Sequence, residues 1–309
     1  MRILCSRFVL VVGFAAAAVR LPAAQEAVPQ QTFRSALDVV TIQASVRDAR
    51  GRVLSGLMAP DFEVRDNGEL RPILSLRADR ESPLSVAILV DMSGSMGSGT
   101  KIAMTRRAYD SVLSQLRSQH DEVALFTFDA SLHQRHDFTR DLSTLTGALA
   151  EFAPFGTTSL FDATADAARR LAARSAAHKA IIVLTDGIDT SSAMTARDVS
   201  GLASSIDVPV FVVATVPSLD QRLMLEAAGR AAPSDAADLR DLAEWTGGQL
   251  VFASTMVETV TAAATLVDEL RQQYILAIEA APEREWRQLD VRVRRRSAVV
   301  KARSGYYGG

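Results

Sequence analysis

Residues 89–101 read LVDMSGSMGSGTK. Asp91, Ser93 and Ser95 stand at alternate positions directly after the apolar run VAILV. If the chain curls there, the three side chains converge. All are hard oxygen donors, suited to Mg²⁺ or Ca²⁺ rather than Zn²⁺. Three oxygens are too few for a shell of about six, so other loops must contribute. Thr158 lies in GTTSLFD, just before a helical pattern. Asp186 lies in LTDG, directly after an apolar strand pattern. In an open α/β sheet the loops at the carboxyl ends of the strands share one crevice, so these three segments can meet.

The same loop comes close to a phosphate-binding motif. Residues 94–101, GSMGSGTK, approach G-x-x-x-x-G-K-[ST], but Thr100 and Lys101 stand in the reverse order. The swap moves both groups by about 100° around a helix. No G-x-G-x-x-G fits either, so no nucleotide is expected. His133 and His136 have a spacing that suits zinc on a helix. Their segment reads as a strand, where i and i+3 face opposite sides, so they are expected at the surface. No G-x-S-x-G hydrolase elbow occurs; the nearest string is SGSMG at 93–97. Arg292, Arg294, Arg295 and Arg296 read as a solvated strand face with edge protection. Asp189 either enriches the acidic rim of the metal loop or serves only as a turn residue, and is not assigned to the site.

The elements that must position these residues follow from periodicity. SVAILVD, EVALFTFD, KAIIVLTDG, VPVFVVAT and QLVFA are short apolar runs of the kind buried on both faces of a parallel sheet. ASLHQRHDFT reads as a more exposed strand turning back from the second. Between them lie helical patterns. One places Ile102, Tyr109, Val112, Leu113 and Leu116 on one face. Two others open with capping-box spacing, Ser159 with Asp162 and Thr195 with Asp198. Alternating strands and helices predict an α/β, doubly wound, mostly parallel sheet.

The flanks differ. Residues 37–80 are strand-like, with a hairpin signal at Asp66-Asn67-Gly68. Residues 273–307 hold three more short alternating segments. Neither flank makes a stable sheet alone. The economical arrangement is one small β module built from both, with the α/β domain, 83–272, inserted into it. Val40, Ile42 and Val46 share a strand face and are expected to meet Tyr274, Leu276 or Ile278.

The chain has 309 residues, 48% of them apolar, and a formal charge of −2. That balance argues against a nucleic-acid binder with a basic surface. Arg2 and Arg7 precede an apolar run at 8–18 and then small residues, the layout of a signal peptide at 1–24. The run falls short of the roughly 20 residues that span a bilayer. The alternative reading of the segment is an uncleaved membrane anchor. Cleavage near Ala24 removes three arginines and no acids, giving 31 − 36 = −5. Cys5, the one cysteine, would leave with it. The mature chain is then expected to have no disulfide, no thiolate metal site and no transmembrane helix. Its expected location is periplasmic, cell-surface or extracellular.

DMSGSM, GTTSL and LTDG, in this order and spacing, resemble the metal-ion-dependent adhesion site of von Willebrand factor type A (VWA) domains. The resemblance covers about 83–272, with a Rossmann-like fold. The β flanks and the ending KARSGYY further resemble an exported bacterial subgroup, the VWFA-related (acidobacterial-type) proteins. Residues 217–237 depart from the pattern as an insertion. The resemblance implies that Ser93, Ser95 and Thr158 bind the metal through hydroxyls. It implies that Asp91 and Asp186 act directly or through water. One position stays open for an Asp or Glu carboxylate from a protein partner. Mg²⁺ is the implied ion, with Mn²⁺ or Ca²⁺ as alternatives. The function expected is non-enzymatic binding, in adhesion or assembly. The competing readings are a metal-dependent hydrolase using the same loop and a structural envelope protein with a vestigial site.

Overall fold

The computed structural model describes residues 38–78, 80–176, 178–216 and 235–308. The expected signal segment, and 217–234 of the stretch 217–237, lie outside the described residues.

An Asn-Gly pair shapes the N-terminal flank. The strands there are β1 (Val39–Arg47), β2 (Phe62–Asp66), β3 (Glu69–Arg71) and β4 (Ile73–Ala78). Asn67 and Gly68 have φ of 49° and 85°, the left-handed pair that a two-residue hairpin turn requires. They join β2 to β3 antiparallel. Val53 makes only an isolated bridge to Arg47 rather than a strand.

The apolar runs become β5 (Leu84–Asp91), β6 (Glu122–Phe128), β8 (His178–Thr185), β9 (Val210–Thr215) and β10 (Leu250–Ala253). All pair in parallel. β7 (Leu132–Thr139) returns antiparallel to β6. The strand order is β10-β9-β8-β5-β6-β7. The helices are α1 (Lys101–Gln115), α2 (Leu160–Ala172), α3 (Ala196–Ser205), α4 (Asp235–Trp245) and α5 (Met256–Arg271). Every residue of β5 is buried, and its faces separate at period two. Val86, Ile88 and Val90 enter a core with Tyr109 and Val112 of α1 and Leu266 of α5. Ala87 and Leu89 enter another with Leu160 of α2, Val199 of α3 and Leu242 of α4. The sheet therefore carries helices on both faces.

The two expected capping boxes diverge. Thr195 and Asp198 close theirs at the start of α3. Ser159 makes no side-chain cap on α2. The Asp162 carboxylate instead accepts from the N–H groups of Ala193 at 2.9 Å and Met194 at 2.8 Å. The loop after β8 brings backbone donors that a local pattern cannot show, and they engage the acid.

The C-terminal strands are β11 (Tyr274–Glu279), β12 (Trp286–Val293), β13 (Val299–Ala302) and β14 (Gly305–Tyr307). They share sheets with the N-terminal strands, in the orders β13-β1-β11-β4 and β14-β12-β2-β3. Ile42, Val46, Phe62 and Val64 pack in one core with Tyr274, Leu276, Ile278 and Leu289, and Val40 packs against it. Asp66 lies at its edge, fully buried. It accepts from Arg287 Nε at 2.7 Å and Tyr306 Oη at 3.0 Å, with Arg71 at 3.3 Å. Glu269 of α5 reaches the β strands as well. It accepts from Ser45 Oγ at 2.8 Å, Arg47 at 3.1 Å and Lys301 at 3.3 Å.

A buried charge left unpaired is costly. Arg287→Met is therefore expected to lower unfolding stability by about 3 kcal/mol, the low end for a broken buried pair because Arg71 stays. Hydrogen exchange in β2 should rise with it. Urea denaturation unchanged by the substitution would count against this clasp.

Candidate metal centre

The site lies where the strand order turns. From β5 the chain passes through α1 to β6 on one side, and later through α2 to β8 on the other. The loops after β5 and β8 thus part to opposite faces and leave a crevice at their carboxyl ends, the usual ligand position in open α/β sheets. Asp91 ends β5, and Asp186 directly follows β8.

Asp91 is fully buried. Its Oδ1 accepts from the Ser93 N–H at 2.8 Å, and its Oδ2 accepts from Thr185 Oγ1 at 2.6 Å. The first bond curls the DMSGS loop, because a side chain that captures the N–H two residues on makes a turn. Ser93 Oγ and Ser95 Oγ then lie 3.1 Å apart. Ser93 is buried, while Ser95 faces solvent.

The Thr158 segment is strapped to the same loop. The Phe155 N–H donates to Met92 O at 2.7 Å, and the Gly94 N–H donates to Gly156 O at 3.0 Å. A Cβ on Gly94 would stand 3.3 Å from Gly156 O, so glycine permits this close approach. Thr158 is buried. Its backbone N–H donates to Thr190 Oγ1 at 2.9 Å, and its carbonyl accepts from the N–H groups of Thr190 and Ser191. Thr190 and Ser191 belong to the loop after Asp186. Sequence reasoning missed both, since nothing in their types marks a contact with Thr158.

Asp186 is also buried. Its Oδ2 accepts from Lys101 Nζ at 2.9 Å. Its Oδ1 is buried and has no hydrogen-bond partner among the described residues. An unpartnered buried carboxylate oxygen is expensive, and a cation is the group that would relieve it. Among the described residues, no three His, Cys, Asp or Glu side chains gather as a metal site. A metal at these loops would need neutral oxygens as well, and the hydroxyls of Ser93, Ser95 and Thr158 would be the candidates. The donor set is hard and fits Mg²⁺ or Mn²⁺.

Asp189 serves as a turn residue. Its Oδ2 accepts from Ser192 Oγ at 2.5 Å and the Phe161 N–H at 3.2 Å, and its Oδ1 from the Ser192 N–H at 3.0 Å. Asp129, Ser131 and His133 meet at the turn between β6 and β7. Both the Ser131 hydroxyl, at 3.4 Å, and the Asp129 carboxylate, at 3.2 Å, address the same nitrogen, Nε2. A hydrolytic relay needs one on each ring nitrogen, so this cluster does not form one. His136 Nδ1 lies 2.8 Å from the Asp137 carbonyl.

Residues 86–188 match the family model described as von Willebrand factor type A domain. The chain carries a VWA domain. Among solved structures, the von Willebrand factor type A from Catenulispora acidiphila is similar at 14% identity and a TM-score of 0.51, over 80% of this chain and 73% of that one. Proximal thread matrix protein 1 from the mussel byssus, with a zinc-occupied MIDAS motif, also matches at 14% and 0.51, over 66% of this chain and 49% of that one. The conserved hypothetical protein BatB from Bacteroides thetaiotaomicron matches at 17% identity and 0.48, over 60% of this chain and 98% of that one. At such identities the likeness to the first two is one of fold. No curated protein matches the sequence.

Burial in the VWA crevice pushes the Asp91 carboxyl up from its ordinary 3.8 to about 6, against its hydrogen bonds from Ser93 and Thr185; the Asp186 charge adds to the rise. The folded state then holds an extra proton between these values. In EDTA, stability should fall as pH rises from about 4 to about 6, by about 3 kcal/mol, and stay lower above. Asp91→Asn should flatten that step. Urea titrations of both proteins across pH 4–7 measure the difference, and equal slopes would contradict the assignment.

Proposed function

We propose that this protein is an exported, divalent-metal-dependent protein-binding module of the adhesion or assembly kind, not an enzyme. In this reading Asp91, Ser93, Ser95, Thr158 and Asp186 hold Mg²⁺, or Mn²⁺ or Ca²⁺, and an Asp or Glu of a partner protein completes the shell. The observation that carries it is the buried, unpartnered Asp186 Oδ1 beside Asp91, with the Ser93 and Thr158 loops strapped around them. The zinc in the mussel protein's MIDAS motif supports a cation at such loops and adds zinc to the ions worth titrating.

A bound metal would supply a positive centre that an anionic group can join. The protein's own residues set its character. Ser93, Ser95 and Thr158 offer neutral oxygens, which leave the centre electrophilic toward a carboxylate. Asp91 and Asp186 balance charge. Thr185 and Ser93 fix the Asp91 carboxylate by hydrogen bonds at both oxygens. The loop hydrogen bonds to Thr158 hold its backbone in place. No imidazole bonds to any of these five side chains among the described hydrogen bonds.

In the same reading, 37–80 and 273–307 act as one β module carrying the VWA domain, 83–272. Among the described residues no helix is long and apolar enough to cross a membrane. A second reading has one observation in its favour. Lys101 already gives Asp186 a cation, as a vestigial, metal-free site would require.

Four measurements test the proposal. Pull-down from envelope extract with Mg²⁺ against EDTA should recover a partner only with Mg²⁺. Thr158→Ala should weaken that partner by about ten-fold or more, roughly 1.4 kcal/mol, with little change in stability. Asp91→Ala should weaken the metal itself. Equal recovery in EDTA would move recognition away from the centre. For export, protein recovered outside the cytoplasm should begin near Gln25; full-length protein confined to the cytosol would reject that part.

A further inference from the structure

Lys101 is the residue that the site's chemistry leaves over. Its place in GSMGSGTK is wrong for a phosphate loop. Its place in the helix is also unfavourable. It is the first residue of α1, where the helix dipole is positive and disfavours a cation. Local helix physics gives no reason for a lysine here. The tertiary structure gives one: Nζ donates to Asp186 Oδ2 at 2.9 Å, across 85 residues of chain. The Asp186 side chain is 1% exposed, and the lysine 21%.

The charges around this pair do not balance on their own. Among the described residues, Asp91 is bound only by neutral donors, the Ser93 N–H and the Thr185 hydroxyl. Asp186 has the ammonium on one oxygen and nothing on the other among the described residues. Two buried carboxylates thus share one cation. A divalent ion between them would cancel both charges and leave the ammonium facing a stronger cation over the same carboxylate. An ammonium is a compact, strongly hydrated charge on a flexible stem. Lys101 is partly exposed, so solvent is within reach of its head group.

We propose that Lys101 is a tethered internal cation that occupies Asp186 in the metal-free protein and is displaced when a divalent ion binds. Metal uptake is then an exchange. Lys101 sets the affinity of the centre and keeps Asp186 paired while no metal is present. The inference rests on the metal-centre reading above, and no covalent or redox step is involved.

The test is calorimetric titration of Mn²⁺ into the full chain, as wild type, Lys101→Met and Lys101→Gln. Both neutral variants should bind Mn²⁺ at least about ten-fold tighter. They should melt lower than wild type in EDTA and gain more from Mn²⁺. The second variant guards against a folding failure of the first. In the wild type, reductive methylation of Lys101, followed by mass spectrometry, should be faster with Mn²⁺ than with EDTA. Wild-type binding that is unchanged or weakened in both variants would overturn the exchange and leave the metal centre standing. Binding in the variants alone would support Lys101 as the occupant and reject metal dependence of the native protein. No Mn²⁺ binding by any of the three proteins at millimolar concentration would overturn both readings.

Discussion

Two carboxylates buried at the ends of neighbouring parallel strands govern this molecule. Asp91 and Asp186 are almost wholly removed from water, and the interior answers them with few charges. Asp91 is held by hydrogen bonds alone and is pushed up to about 6. Asp186 keeps one oxygen on Lys101 and one without a partner among the described residues. Burying an anion without full compensation opposes stability. Such a cost is expected where a site is held ready for a ligand.

The sheet makes that arrangement unavoidable. β5 and β8 pair in parallel along their length, from Leu84 with His178 to Val90 with Leu184. Their side chains alternate between two cores, each capped by helices. With both faces covered, the strand ends are where polar groups can gather. The chain leaves β5 and β8 toward opposite faces, and the crevice between them is what remains. Loop 155–158 closes it from the side through Phe155 and Gly156.

The flanking sheets depend on the same accounting of charge. Asp66, Arg287 and Tyr306 join β2 to β12 and β14 in a buried cluster. Glu269 does the same between α5 and the strands β1 and β13. Asp207, in a left-handed turn with φ of 55°, takes the Thr41 hydroxyl at 3.3 Å and approaches Arg303 at 3.4 Å. These bonds link distant segments of sequence, and apolar contacts in the third core fill the space behind them.

The sequence by itself determined the α/β alternation, since apolar runs of strand length and 3.6-residue periodicity are local properties. It determined the Asn67-Gly68 turn, because few residues accept positive φ. It also marked Asp91, Ser93, Ser95, Thr158 and Asp186 as oxygen donors at strand ends or a helix start. Only the tertiary structure decided which groups answer them. Thr185 and Thr190 reach the site through side chains whose types are ordinary at their local positions, and Lys101 through one that its helix position disfavours. Asp162 abandons its local cap for the N–H groups of Ala193 and Met194 for the same reason. Periodicity reports how a residue faces its own element. A hydrogen bond or ion pair across 85 residues depends on where two elements come to rest, and that is fixed by packing rather than by spacing along the chain.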